Sequence, residues 1–257
     1  MIPKIIHYCW FGGKPLPELA LRCIESWRKY LPDYEICQWN ENNFDVNIIP
    51  FTAEAYRQRK YAFVSDYARF WIMYKYGGVY FDTDVEVIRP MDDIIERGCF
   101  MGFEVDPDGE NSPGIYAPRY SFGVNPGLGT GFSIKHPFLQ KMIQLYSSLT
   151  FQETTMTPWL KTVVAYTTEA LMNEGLKNIK GIQQVGDITV YPHEYFAPIN
   201  VISGKLHIEN STYTIHHYMG TWNGNESKTL KERIRVILPE WVFLWNNRIK
   251  RRKYRIR

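Results

Sequence analysis

Two acids one residue apart, Asp82 and Asp84, follow the apolar run Val79-Tyr80-Phe81. In an extended segment residues i and i+2 point to one side. The spacing therefore predicts two carboxylates converging on one spot, where they repel unless a cation lies between them. A hard divalent ion such as Mg²⁺ or Mn²⁺ takes oxygen ligands at about 2.0–2.2 Å and keeps positions for water and for substrate phosphates. A solvated turn has the same letters. The apolar strand before the pair, and the Gly77-Gly78 turn before that, weigh against so plain a reading.

Ser65, Asp66 and Arg69 form a second group. Asp66 and Arg69 stand three apart and share a helix face, and Met73 and Tyr76 continue that face, so it is not a solvated stripe. A structural ion pair is one reading. The other is a carboxylate accepting from sugar hydroxyls beside a guanidinium that donates to hydroxyl or phosphate oxygens. A third group is His216-His217-Tyr-Met-Gly-Thr-Trp222. Adjacent histidines on a strand face opposite ways, so at most one of them faces a site and can add a nitrogen ligand to the same ion. Trp10 closes the first predicted strand, at the end of an open sheet where ligands sit; there an indole can stack on a base or simply fill core.

These residues need elements to hold them. Lys4–Trp10 reads as a buried strand, Leu16–Tyr30 as a helix from its apolar period, and Tyr34–Trp39 as a second strand, the opening of an α/β sheet. Ala53–Arg59 and Phe63–Tyr76 read as helices with a break near Tyr61. Gly77-Gly78 ends the second of them, since glycine takes the left-handed cap conformation. Val79–Phe81 is a short strand running into the acids, and Val85–Ile88 continues extended. Glu104–Tyr120, with three prolines, two glycines and four acids, reads as a long exposed loop. Glycine-rich Gly123–Gly131 leads into a strand at Phe132–Ile134, then a helix at Pro137–Leu149. Thr157-Pro158 and Gly175 bracket another helix. Strands follow near Ile188–Tyr191 and Tyr213–His217, and a helical period returns from Leu230.

The chain has 257 residues, 45% apolar and 16% aromatic, enough to bury a sizeable core. No run of about 18 apolar residues occurs, so no transmembrane helix is expected, and Met1–Phe11 lacks the pattern of a signal peptide. Cys9, Cys23, Cys37 and Cys99 lack metal spacing and read as buried, reduced thiols. The net charge is +3, yet the last ten residues, Arg248–Arg257, supply seven positive charges and no acid, which leaves the remainder at −4. A mildly acidic body with a basic end is unlike a nucleic-acid-binding domain. Trp241, Phe243, Leu244, Trp245 and Ile249 accompany those basic residues, an aromatic and polybasic combination that reads either as an interfacial membrane anchor or as a packed helix with a solvated end. Residues 1–229 are expected to form the main domain and 230–257 a membrane-proximal tail.

Residues 63–88, FVSDYARFWIMYKYGGVYFDTDVEVI, resemble the signature of the DxD-containing glycosyltransferases of family 32, which include bacterial capsular polysaccharide transferases and relatives of yeast mannosyltransferases. The block is also similar to the catalytic domains of the large clostridial glucosylating toxins. IPKIIHYCWFGG near the start, YPHEYFAP at 191–198 and HHYMGTW resemble the family as well. The resemblance implies a GT-A fold, α/β with a Rossmann-like mixed central sheet flanked by helices, a nucleotide-sugar donor and retention of anomeric configuration. By motif position it implies that Trp10 flanks the uracil, that Ser65, Asp66 and Arg69 hold the donor sugar, that Tyr80 and Asp82 lie along the ribose and sugar, and that Asp84 binds the metal with Asp82 beside it. His217, in His-x-x-Gly, resembles a C-terminal metal ligand, and Trp222 would contact the diphosphate. Relatives often carry an asparagine directly before the strand at Gly127–Gly131; this chain has Asn125, upstream.

The resulting expectation is a Mn²⁺- or Mg²⁺-dependent retaining hexosyltransferase in cell-surface polysaccharide synthesis. UDP-galactose is slightly favoured as donor, and a lipid-linked saccharide waiting at the inner face of the cytoplasmic membrane is the acceptor. Two rivals are a haloacid-dehalogenase-type phosphohydrolase, which wants threonine or valine where this chain has Glu86, and a non-enzymatic saccharide-binding module holding a structural cation.

Overall fold

The computed structural model describes residues 1–107, 122–151, 162–200 and 204–219. Strand β1 (Ile5–Cys9), helix α1 (Glu18–Tyr30) and strand β2 (Glu35–Trp39) open the chain in the expected order, with β2 parallel to β1. Helix α1 buries Ala20, Cys23, Ile24 and Trp27, one stripe at helical spacing. Helix α2 (Pro50–Arg57) begins at a proline, whose missing N–H would have no intrahelical partner anyway. Helix α3 (Tyr61–Tyr76) ends at Gly77, whose N–H donates to the Met73 carbonyl. Gly77 and Gly78 both have positive φ, 62° and 99°. A side-chain carbon on Gly78 would lie 2.5 Å from the Ile5 carbonyl oxygen, so glycine alone lets strand β3 (Gly78–Tyr80) press against β1.

Strand β4 (Val85–Val87), a short helix α4 (Asp92–Ile95), β5 (Cys99–Val105), β6 (Gly123–Asn125), β7 (Thr130–Phe132), α5 (Pro137–Ser148), α6 (Val163–Asn173), β8 (Gln183–Val185), β9 (Ile188–Tyr191), α7 (His193–Phe196) and β10 (Thr214–His216) follow. The main sheet runs β2-β1-β3-β7-β5-β9-β8, with β6 also on β5. Strands β1, β2, β3, β5 and β9 point one way, because β7 is antiparallel to both β3 and β5 and β9 is parallel to β5. Their C-terminal ends therefore share one end of the sheet. Strands β4 and β10 form a separate antiparallel pair.

Burial on both faces leaves the central strands β3, β5 and β7 with almost no exposed position. Along β5, Cys99, Met101 and Phe103 join one core with α2, α3, α5 and α6, while Phe100 faces the other core with α1 and the second sheet. This is the α/β architecture of a mixed sheet flanked by helices that the sequence predicts. Two local readings are corrected. Glu104 and Val105 end a buried strand rather than begin a loop, because β6, β7 and β9 pair with both edges of β5. The strand expected at Phe132–Ile134 is Thr130–Phe132, set by Tyr80↔Thr130 pairing. The helix expected between Thr157-Pro158 and Gly175 is described over Val163–Asn173, and its expected start at Thr157-Pro158 lies outside the described residues. The 229/230 boundary and the basic tail also lie outside them.

His7, on β1, is 1% exposed. The Trp39 indole N–H donates to its Nδ1 at 3.1 Å, which leaves Nε2 to donate to the Gly77 carbonyl at 2.9 Å. Burial lowers its pKa from 6.5 to about 4, against the pull of Gly77 and Glu35. The unfolded chain takes that proton more readily, so stability is complete above pH 6.5 and falls as the pH drops toward about 4. The full shift is worth about 3 kcal/mol. The urea midpoint of the wild type is expected to fall over this window, and His7→Gln should flatten that part of the profile. Equal slopes in the two proteins would show that the imidazole is not the acid-sensitive group.

Candidate functional site

Asp82 and Asp84 sit just past β3, at the end of the sheet where β1, β5 and β9 also finish. The segment is a turn rather than an extended strand: the Val85 N–H donates to the Asp82 carbonyl at 3.1 Å. The two carboxylates are consequently shared out between two sets of partners.

Asp82 belongs with α3. Arg69 lies 3.3 Å from its Oδ1 and 3.1 Å from Asp66 Oδ1, and its Nε donates to the Ser65 carbonyl at 3.2 Å. The guanidinium also lies over the Tyr80 ring, 5.0 Å from the centroid, and the Tyr80 hydroxyl donates to Asp82 Oδ1 at 3.1 Å. Burial alone would lower the Arg69 pKa, but Asp82, Tyr80 and Asp66 more than reverse this and keep it charged. Burial pushes Asp66 up to about 7, with Arg69 opposing and Asp82 reinforcing. Asp66 is thus a carboxyl able to accept from or donate to a hydroxyl near neutral pH. The Ser65 side chain turns back to the Tyr61 carbonyl at 3.3 Å, so its contribution to the cluster is its backbone oxygen.

Asp84 belongs with the second sheet. Its Oδ1 is 3.2 Å from His216 Nε2, its Oδ2 accepts the Met219 N–H at 2.8 Å, and its carbonyl accepts the His217 N–H at 2.9 Å. Burial would raise its pKa, but His216 and the Met219 N–H outweigh it and hold the carboxyl down to about 2. Burial likewise disfavours charge on His216, and Asp84 overrides it, raising the imidazole to about 9. The expected partner, His217, faces the other way, with Nε2 2.8 Å from Glu86 Oε2. The alternation of neighbours along β10 decides this: His216 pairs with Val85, directly beside Asp84. The His216 Nδ1 is buried with no partner among the described residues.

Trp10 lies beyond β1 at the same end, half-buried, its indole N–H donating to the Lys14 carbonyl at 2.6 Å. Trp222 lies outside the described residues. The structure thus gathers Asp66, Arg69, Tyr80 and Asp82 into one cluster and Asp84 into a neighbouring one. Sequence reasoning missed His216 as the histidine at Asp84, and it missed the Asn125–Gly129 turn, which packs on Asp82. The Gly127 carbonyl accepts the Asp82 N–H at 2.9 Å, and a side-chain carbon on Gly127 would lie 1.9 Å from Asp82 Oδ2. The glycine-rich stretch was a visible signal for that close approach.

Asp84 and His216 stand as an ion pair; a carboxylate and an imidazole are both groups a divalent ion takes, and such an ion would have to displace the proton between them. Two other clusters whose ligand atoms lie close together, Cys99-His136-Asp187 and Asp106-His193-Glu194, lie elsewhere and also serve helix starts. In one, His136 Nδ1 accepts the Phe138 N–H at the head of α5 while Nε2 meets Asp187. In the other, Asp106 accepts both the backbone N–H and the Nδ1 of His193 at the head of α7.

Among the described residues no helix is long and apolar enough to cross a membrane. Over 96% of its length the chain is 26% identical to inositol phosphoceramide mannosyltransferase 1 of Schizosaccharomyces pombe, of which it spans 66%. It is 25% identical, over 86% of its length, to the initiation-specific alpha-1,6-mannosyltransferase of Candida albicans, of which it spans 72%. The solved PaToxG Glycosyltransferase aligns with 68% of the chain and 70% of its own at a TM-score of 0.49 and 20% identity. Residues 17–101, which carry Ser65, Asp66, Arg69, Tyr80, Asp82 and Asp84, match the family described as "Glycosyltransferase sugar-binding region containing DXD motif", a match confined to that part of the chain.

Proposed function

We propose that the protein is a metal-dependent retaining glycosyltransferase that moves a hexose from a nucleotide sugar to a saccharide acceptor. The observation that carries this reading is the division of the Asp82–Asp84 pair. One carboxylate is tied to a buried arginine and a tyrosine hydroxyl, and the other stands 3.2 Å from an imidazole nitrogen. The first arrangement suits a sugar, the second a divalent cation.

A Mn²⁺ or Mg²⁺ ion held by Asp84 and His216, with Asp82 beside it, would supply positive charge for the leaving diphosphate. The residues of this chain do the rest. Arg69 fixes Asp66 and Asp82 so that their free oxygens can accept sugar hydroxyls. Tyr80 holds Asp82 from below. In the step itself the bond from the anomeric carbon to the phosphate oxygen breaks and the acceptor oxygen bonds to the same face. The acceptor proton passes to the departing phosphate, through an oxocarbenium-like state. A glycosyl-enzyme trapped on Asp66, or on any other residue, would replace this front-face scheme with a covalent one.

The resemblance to capsule-type enzymes favours UDP-galactose as donor. A second reading, mannose, is favoured by the relatives, which are named for mannosyl transfer. One of them is also named for a phosphoceramide acceptor, which supports a lipid-linked acceptor here. The aromatic and basic residues between Trp241 and Arg257 suit attachment to an anionic membrane face, at about 1 kcal/mol per basic residue near the surface.

Release of UDP or GDP from a panel of nucleotide sugars, including UDP-galactose, UDP-glucose, UDP-N-acetylglucosamine and GDP-mannose, tests the class and names the donor. The expected result is turnover of one sugar, abolished by EDTA and lowered about 10²–10³-fold in Asp84→Ala. Phosphate release from a simple phosphomonoester, or saccharide binding without any nucleotide, would sink it. Arg69→Lys retains a charge but not the planar fork, and is expected to weaken donor binding by about tenfold or more in calorimetry; unchanged affinity would remove Arg69 from the sugar site. A chain ending at Asn247 should no longer sediment with anionic liposomes, and full retention would count against the membrane role.

A further inference from the structure

We propose that Glu104 is a positioning residue of this site, acting on Asp82 through Asn125 and Gly127. The proposal rests on the reading of Asp82 as a contact of the donor sugar.

The register of β5 against β6 carries the first observation. Phe103 pairs with Val124 and Val105 with Gly123, so Glu104 is an extra residue in the ladder. Such a bulge gives up regular pairing and re-aims a side chain, and bulges concentrate beside active sites. Here it directs a carboxylate into the interior: Glu104 is 7% exposed. No salt bridge reaches it among the described residues, although it acts electrostatically on His216 and on the Tyr218 hydroxyl. A buried carboxylate is costly unless it is hydrogen-bonded, so the hydrogen bonds it makes need a reason.

Those bonds form a relay. Glu104 Oε1 accepts from Asn125 Nδ2 at 2.9 Å, Asn125 Oδ1 accepts the Gly127 N–H at 2.7 Å, and the Gly127 carbonyl accepts the Asp82 N–H at 2.9 Å. The first two bonds are buried. Strands β6 and β7 lie along the same edge of β5, with Gly102↔Asn125 and Phe100↔Gly131 pairing. The chain between them therefore leaves the ladder as an excursion, and it does so where it meets Asp82. The relay holds that excursion in place.

The charge on Glu104 sets the polarity of the relay. A carboxylate only accepts. It therefore compels Asn125 to present its NH₂ to Glu104 and its carbonyl to Gly127. A neutral amide at position 104 both donates and accepts, so the Asn125 amide is free to turn over and face the Gly127 N–H with a second donor. Glu104→Gln is then a defect despite its shape. Asn125→Asp is a defect too, because it sets two buried carboxylates against each other. The combination Glu104→Gln/Asn125→Asp again satisfies both bonds, with the first reversed: the amide at position 104 donates to the carboxylate at position 125, whose other oxygen accepts the Gly127 N–H.

Amide hydrogen exchange at Gly127 and Asp82, read in the full chain alongside the thermal midpoint, tests this without needing catalysis. Each single variant should exchange about tenfold faster at these two amides, and the combined variant should return toward the wild-type rate. Donor turnover should follow the same order, with kcat/KM falling about tenfold in the singles and recovering in the pair. Unchanged exchange in Glu104→Gln, or a combined variant as fast as the worse single, would overturn the relay. Exchange that behaves as expected in a protein that turns over no nucleotide sugar would uphold the relay and reject the glycosyltransferase reading instead.

Discussion

The buried guanidinium of Arg69 is the tie on which the rest of the site depends. An arginine withdrawn from water is expensive unless most of its donors are paired, and here two carboxylates and a carbonyl oxygen take them. The pairing is possible only because the chain reverses at Gly77-Gly78. From Arg69 to the end of α3 is seven residues, about 10 Å of helix. From Gly78 to Asp82 is four residues, about 13 Å of strand. The outward and return paths nearly match, so the two groups come level across the helix–sheet interface. A residue with a side chain at position 78 would push β3 off β1 and break that match.

On the other side of the turn a different element takes over. Strand β10 arrives from far along the sequence, pairs with β4, and brings His216 to Asp84. The turn is thus gripped from three directions: by α3 through Arg69, by β10 through His216, and by the excursion between β6 and β7 through Gly127. These groups come from parts of the chain that only the assembled sheet brings together. Their convergence at the C-terminal ends of parallel strands follows the general rule for ligand sites in open α/β sheets.

Local pattern reveals the helices and the outer parallel strands because each carries its own signal. Helix α1 has an apolar stripe, α3 ends at paired glycines, and Gly77-Gly78 marks the approach to the acids. Strand β5 carries no such signal. Its residues are buried on both faces, so the sequence CFMGFEV shows no alternation, and its last acid merges by composition with the acidic stretch that follows. The same limit applies to the histidine pair. That the two point opposite ways is legible from strand geometry. Which of them meets Asp84 depends on the register of β10 against β4, a long-range pairing with no local trace. Asn125 is similar: its hydrogen bond to Glu104 depends on a bulge in another strand.

Charge explains why these distant parts belong together. The described site holds four acids, Asp66, Asp82, Asp84 and Glu104, against two bases, Arg69 and His216. Asp66, pushed up to about 7 by burial, carries only part of its charge at neutral pH. An anionic excess in a low-dielectric pocket repels a bare diphosphate and attracts one whose charge is already neutralised. It also favours positive charge growing at a sugar carbon nearby. A site of opposite balance would hold a nucleotide tightly in the ground state, whereas this balance would favour the separation of charge that the proposed glycosyl transfer requires.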